Sequence, residues 1–365
     1  MWESEQTASM DPLDRRTYLA LVAAGTVGLA GCSSEGGDRG PAATPTNQGV
    51  VDETPGAART TDRPTTSEET STPEGEPTAE SESSPTARLG ERVTVGDLTV
   101  VVTGVRLVDD VVVGPDGEVI EAAAGRSFAV VDVAVQHASG GGVVDVDDAL
   151  TVEVVDGTGE PADAVPAAEP MARVVTAARL APGEVVRGDL VYDVDGAAEK
   201  LVLAFGSAMD DERVVVNPTA ARPASATTRL VQELASVVPF SQTVESAGIE
   251  VRLTSLEQGN NLGGFLQSEE GYEVVAVGVT IENHSGRDRT LRPTQTQLKD
   301  QAGRVYEAVP TVVGALNGLD DVEVRDGEEH EGEAAYQVEE GRSALFWVFD
   351  FGDWGENRRG FWQLR

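Results

Sequence analysis

The sequence predicts an all-β chain, two tandem antiparallel β-sandwiches set behind a leader and a disordered linker. Three observations predict it. Short valine-rich segments alternate with period two, so that Leu98, Val100 and Val102 share one side of a strand, as do Val131, Val133 and Val135. Turn signals such as Gly114-Pro115-Asp116-Gly117, Asp156-Gly157 and Pro182-Gly183 separate these segments. The chain also repeats itself. "DGTGEPADAVP" (156–166) matches "DQAGRVYEAVP" (300–310), "GEVVRGDLVYDV" (183–194) matches "GEEHEGEAAYQV" (327–338), and "LVLAF" (201–205) matches "LFWVF" (345–349), all at one offset of 144 residues.

The leader comes first, in residues 1–32. Arg15 and Arg16 precede residues 17–30, fourteen residues without a charge. That run suits the apolar core of a signal peptide and falls short of the ~20 residues that a membrane-spanning helix needs. The arginine pair before a mild apolar run resembles a twin-arginine export signal. Leu29-Ala30-Gly31-Cys32 resembles a lipobox, which implies lipidation of Cys32, the only cysteine in the chain. With no second thiol a structural disulfide is excluded, and a two-chain lipid on Cys32 gives stable attachment to a membrane. The implied location is the extracellular face of the cell membrane, with membrane lipid as the first partner.

Residues 33–88 follow as a tether. They lack Leu, Ile, Phe, Tyr and Trp, and hold seven prolines and eighteen Ser or Thr. Such a segment cannot bury enough apolar surface to offset the entropy of ordering it. As a random coil it spans about 40 Å. The composition fits a bare linker and an O-glycosylated stalk equally.

From Leu89 onward two modules are expected, at 89–218 and 240–365, joined by a connection at 219–239. "LTVVVTGV" (98–105) matches "IEVRLTSL" (249–256), and "FAVVDVAVQHASG" (128–140) matches "VVAVGVTIENHSG" (274–286), so the repeat includes the opening strands. Six or seven short strands in about 120 residues is the pattern of an immunoglobulin-like sandwich. The one segment that reads as a helix is 228–237, in the connection. The order of these motifs is similar to that of the DUF4352 domain, an immunoglobulin-like module of secreted lipoproteins. In the second repeat Asn283-His284-Ser285-Gly286 is the closer match; in the first, His137-Ala138 stands in that place. The resemblance implies a fold and brings no catalytic residue with it.

Charge narrows the function. There are 27 Lys and Arg against 63 Asp and Glu, a formal charge of −36, and Lys200 and Lys299 are the only lysines. The missing basic patch excludes nucleic acid as a partner. Acids spread through the strands, with scarce lysine, resemble the proteins of halophilic archaea. His137, His284 and His330 share no metal-ligand spacing, and Asp145-Val146-Asp147-Asp148 lacks the glycine and distal glutamate of a calcium loop. No metal, cofactor or catalytic residue is therefore assigned. Asn283-His284-Ser285 is an N-glycosylation sequon. Phe346, Trp354 and Trp362 have no aromatic counterpart in the first repeat; they are either structural cover or a patch for a partner. The reading is a non-catalytic, lipid-anchored protein that presents two modules to a protein or carbohydrate at the cell surface. The alternative is a solute- or metal-capturing accessory of a transporter.

Overall fold

The computed structural model describes residues 86–365 except 114–117, 139, 157–158, 160, 169–173, 198–200, 208–212, 218–227, 263–265, 307, 310–317 and 320. Arg15, Arg16, Leu29, Ala30, Gly31, Cys32 and the tether to residue 85 lie outside the described residues.

Each repeat builds one module from two sheets. The strands of the first are β1 (Thr86–Ala87), β2 (Arg92–Val95), β3 (Leu98–Val108), β4 (Arg126–His137), β5 (Leu150–Val155), β6 (Val185–Asp195), β7 (Val202–Ser207) and β8 (Arg213–Val216). Those of the second are β9 (Val238–Pro239), β10 (Val244–Ser246), β11 (Ile249–Gly259), β12 (Tyr272–Asn283), β13 (Thr296–Asp300), β14 (Glu329–Glu339), β15 (Leu345–Asp350) and β16 (Arg359–Gln363). One sheet runs β2-β3-β4-β6 and the other β1-β8-β7-β5; the second module repeats them as β10-β11-β12-β14 and β9-β16-β15-β13. Pairing within these sheets is antiparallel, except that β1 lies parallel to β8 and β9 to β16.

The central strands of the two modules share their irregularities. β3 bulges against β4 between Val102 and Gly104, and β11 bulges against β12 between Leu253 and Ser255. An extra residue at a bulge bends the strand and sharpens its twist, which lets the sheet wrap over its partner. Tyr192 pairs with Ala164 at one sheet edge, and Tyr336 bridges Ala308 at the equivalent edge. The expected period-two faces are realised, since Leu98, Val100, Val102, Val131, Val133 and Val135 all enter the core of the first module.

The two cores are filled differently. The first is mostly valine and leucine with Phe205. The second holds Trp347, Trp362, Phe349, Phe351 and Trp354. Trp347 meets Trp362 edge-on with centroids 5.3 Å apart, and Phe349 meets Phe351 at 4.8 Å. Edge-to-face pairs of this kind add to the burial of the rings themselves.

One expectation is corrected. Residues 228–237 form no helix but run as an irregular strap whose backbone bonds go to both modules: Thr228 N–H to Gly90 O, Glu233 N–H to Gly183 O and Gln232 N–H to Gln301 O. Tertiary pairing here outweighs helix propensity. Among the described residues Thr86 and Ala87 already pair with Val215 and Val216, a main-chain contact that needs no large side chain.

Candidate functional site

The described residues place their most elaborate polar arrangement where the start of β6 meets the outer face of the β9-β16-β15-β13 sheet. Glu184, at the turn into β6, is fully buried. Its Oε1 receives the Lys299 Nζ of β13 at 2.5 Å, and Arg359 Nη1 of β16 lies 3.0 Å from the same oxygen. Its Oε2 accepts the Ala181 N–H at 2.9 Å, which fixes the carboxylate from within its own module. Arg359 continues outward to Asp350, Asp350 accepts from Arg179 of the first module, and Arg179 reaches Asp145 at 3.1 Å. The charges alternate along the row: Lys299, Glu184, Arg359, Asp350, Arg179, Asp145. Side-chain exposure rises from 2% or less at Lys299 and Glu184 to 44% at Asp145. The row therefore runs from dry interior to solvent.

Backbone and apolar groups close around it. The Gln232 side chain pairs with Val185 as a strand would, its Oε1 accepting the N–H at 2.9 Å and its Nε2 donating to the carbonyl at 3.0 Å. Arg187 N–H donates to Gly303 O at 3.0 Å. Gly303 holds φ +87°, and a Cβ there would stand 2.6 Å from Val185 Cγ1, so the approach of the two modules requires glycine. Val348 and Phe361 pack with Ala181 and with Leu234 and Val237 of the strap. Both modules belong to one compact unit.

Burial opposes charge on Glu184, but Arg359 and Lys299 beside it outweigh that cost and hold its carboxyl below the ordinary 4.5. A buried pair adds little net stability over apolar packing, whereas removing one member leaves an uncompensated charge. Another juxtaposition of the modules would leave these buried charges unpaired.

The sequence-predicted residues fall elsewhere. Asn283 is fully buried, so the sequon reading is corrected. Its Nδ2 donates to Arg287 O and Val324 O, both at 2.8 Å, and its Oδ1 accepts the Ser285 N–H and hydroxyl. A glycan on that nitrogen would displace one of these bonds in a space the fold closes. His137, which ends β4, does the same work in the first module: it is buried and its Nδ1–H donates to Leu180 O at 3.1 Å. Phe346, Trp354 and Trp362 are buried too, so they form structural cover and no exposed patch. Phe346 shares its sheet face with Lys299 and Val348, the face turned to the first module. The Trp362 and Trp354 indoles donate to Gln242 O at 2.7 Å and Thr290 O at 2.9 Å. Among the described residues no three His, Cys, Asp or Glu side chains converge as a metal site, and no helix is long and apolar enough to cross a membrane.

Sequence reasoning missed Glu184, Lys299 and Arg359. A signal existed. Lys299 is one of two lysines and occupies a strand position where the first repeat has Val155.

A family model described as a domain of unknown function, DUF4352, matches residues 87–214 and again 238–359. Among solved structures, an uncharacterized β-sandwich protein of Clostridium difficile is 13% identical and covers 39% of this chain and 99% of its own, with a TM-score of 0.29. The yjhA protein of Bacillus subtilis is 11% identical over 35% of this chain and 98% of its own, at a TM-score of 0.28. A secreted protein of Mycobacterium tuberculosis is 13% identical over 36% of this chain and 99% of its own, at 0.27. No curated protein matches the chain.

Proposed function

The chain belongs to the DUF4352 family, and on that premise we propose that it is a non-catalytic, lipid-anchored protein of the outer cell surface. It holds its two modules as one stiff body above the membrane and offers their loops to a protein or carbohydrate partner. The observation that carries this reading is the buried row from Lys299 to Asp145, which joins modules that a bare tether would leave independent. Arg15 and Arg16 supply the export signal, Leu29-Ala30-Gly31 the cleavage context and Cys32 the lipid attachment. The acid surface suits a high-salt medium, where screening shortens repulsion from about 30 Å at 0.01 M to about 3 Å at 1 M.

Cell fractionation tests the anchor. Wild-type protein is expected with the membranes, and Cys32→Ser is expected to be released or to keep its leader. Replacing Arg15 and Arg16 by Lys is expected to leave the precursor inside the cell. Wild-type protein found wholly in the soluble fraction with its leader intact would contradict the reading.

A further inference from the structure

The first module carries a cavity of about 150 Å³ between its two sheets, walled by Val133, Val135, Val152, Leu190, Tyr192 and Phe205. Asp147, an exposed lining residue, marks its mouth. The second module shows what fills the corresponding space. There Phe349, the repeat equivalent of Phe205, has the rings of Phe351 at 4.8 Å and Trp354 at 5.4 Å against it. Phe351 corresponds to Ser207, and the sequence after Ser207, Ala-Met-Asp-Asp-Glu, offers no aromatic in place of Trp354. Trp347, which donates its indole N–H to the Tyr336 hydroxyl at 3.0 Å, corresponds to Leu203. Tyr192 thus keeps the position of Tyr336 and loses its donor. Among the described residues its hydroxyl has no hydrogen-bond partner. Close packing is the rule in protein interiors, so a space this large beside an intact copy that fills it requires an explanation.

We propose that this cavity is a binding site for a small neutral aromatic molecule, one six-membered ring bearing a single hydroxyl or similar group that meets the Tyr192 hydroxyl. Size fixes the ring, because an apolar cavity of ~150 Å³ takes benzene. Besides Tyr192 the lining holds the polar residues Thr176 and Asp147, and its other residues are apolar, which favours a ring with few polar groups. Asp147 at the mouth and the net charge of −36 exclude anions. Burial pushes the Tyr192 hydroxyl up to about 12, so it stays protonated and can both donate and accept. The site is independent of the anchor and of the seam between modules.

Saturation-transfer NMR on the purified full chain tests the proposal, with phenol and benzene as probes and benzoate as the anionic control. Wild type is expected to bind phenol and benzene in the millimolar range and to leave benzoate free. Ser207→Phe and Val152→Phe, which place a ring in the space, are each expected to weaken both probes at least tenfold. Tyr192→Phe is expected to weaken phenol several-fold and to leave benzene unchanged, a split that does not depend on either filling variant folding well. Absence of transfer to phenol and benzene in wild type overturns the proposal. So does equal binding by both filling variants when their melting shows them folded, because the probes then sit elsewhere. Equal loss of phenol and benzene in Tyr192→Phe overturns the assigned polar contact.

Discussion

Glu184 and Glu328 occupy the same place in two copies of one fold, and they lead different lives. Each precedes the sixth strand of its module, and each gives its carbonyl to the residue that ends the fourth strand, His137 or Asn283. Glu184 is sealed beneath Lys299 and Arg359, while the Glu328 side chain is 53% exposed beside Arg325. The backbone was copied and the edge was specialised. The cores diverged in the same way, with Leu203 and Ser207 in one module where the other has Trp347 and Phe351. A shared register therefore says little about which copy's edge or interior has acquired a task.

The largest expected effect separates the two glutamates. Glu184→Ala leaves Lys299 and Arg359 without their carboxylate and is expected to cost about 3–5 kcal/mol in chemical denaturation. Glu328→Ala is expected to stay within about 0.5 kcal/mol of wild type, as surface changes usually do. Equal effects would remove the distinction. Acid should act on the same group. The folded-state pKa of Glu184 is depressed, so its contribution is complete above the ordinary 4.5 and is lost as pH falls through the lower folded value. Between those two pH values wild type is expected to lose stability faster than Glu184→Gln, and parallel pH profiles would contradict this.

Next in size is Phe346. Its burial predicts that Phe346→Ser lowers stability by about 2–4 kcal/mol. The matching change Val202→Ser, at a half-buried position, should cost clearly less. A melting point unchanged by Phe346→Ser would return this residue to the surface.

His137 and Asn283 provide a finer comparison. His137→Ala leaves the Leu180 carbonyl without its donor and should cost about 1–3 kcal/mol. His137→Asn, which restores the arrangement of the second module, should recover much of that loss. No recovery would mean that the imidazole contributes packing rather than the bond.

Much of this architecture was legible in the sequence, and the reasons are local. Period-two valines, glycine turns and a repeat at constant offset all report on backbone pairing within a module. The seam was not legible, because Glu184 meets Lys299 and Arg359 across 115 and 175 residues, and the Gly-Glu pair before its strand is the same Gly-Glu pair that includes the exposed Glu328. The Asn283 sequon misled for a related reason. Its three letters describe an acceptor site, while the fold spends the amide on Arg287 and Val324. Residues 228–237 read as helical because nothing nearby shows that the strap will be held by Gly183 and Gln301. The cavity left a visible trace in the contrast between "LVLAF" and "LFWVF", which records missing rings without saying where the space opens.

The smallest effect per interaction is screening. From Leu89 onward 48 acids face 21 bases, so molar salt should raise the melting temperature by shortening surface repulsion. Buried charges are screened far less, so the gap between Glu184→Ala and Glu328→Ala should persist in high salt. A gap that closes would place Glu184 in solvent.

If the buried row makes the two modules one cooperative body, the tryptophans report it directly. Trp347, Trp354 and Trp362 all lie in the second module, so with Trp2 replaced by Phe, fluorescence follows that module alone while far-UV circular dichroism follows both. Thermal unfolding recorded by both signals on one sample is the deciding measurement. Coincident curves are expected for this chain, and separated curves once Glu184→Ala is added. Separated curves before Glu184 is touched would contradict a single cooperative body.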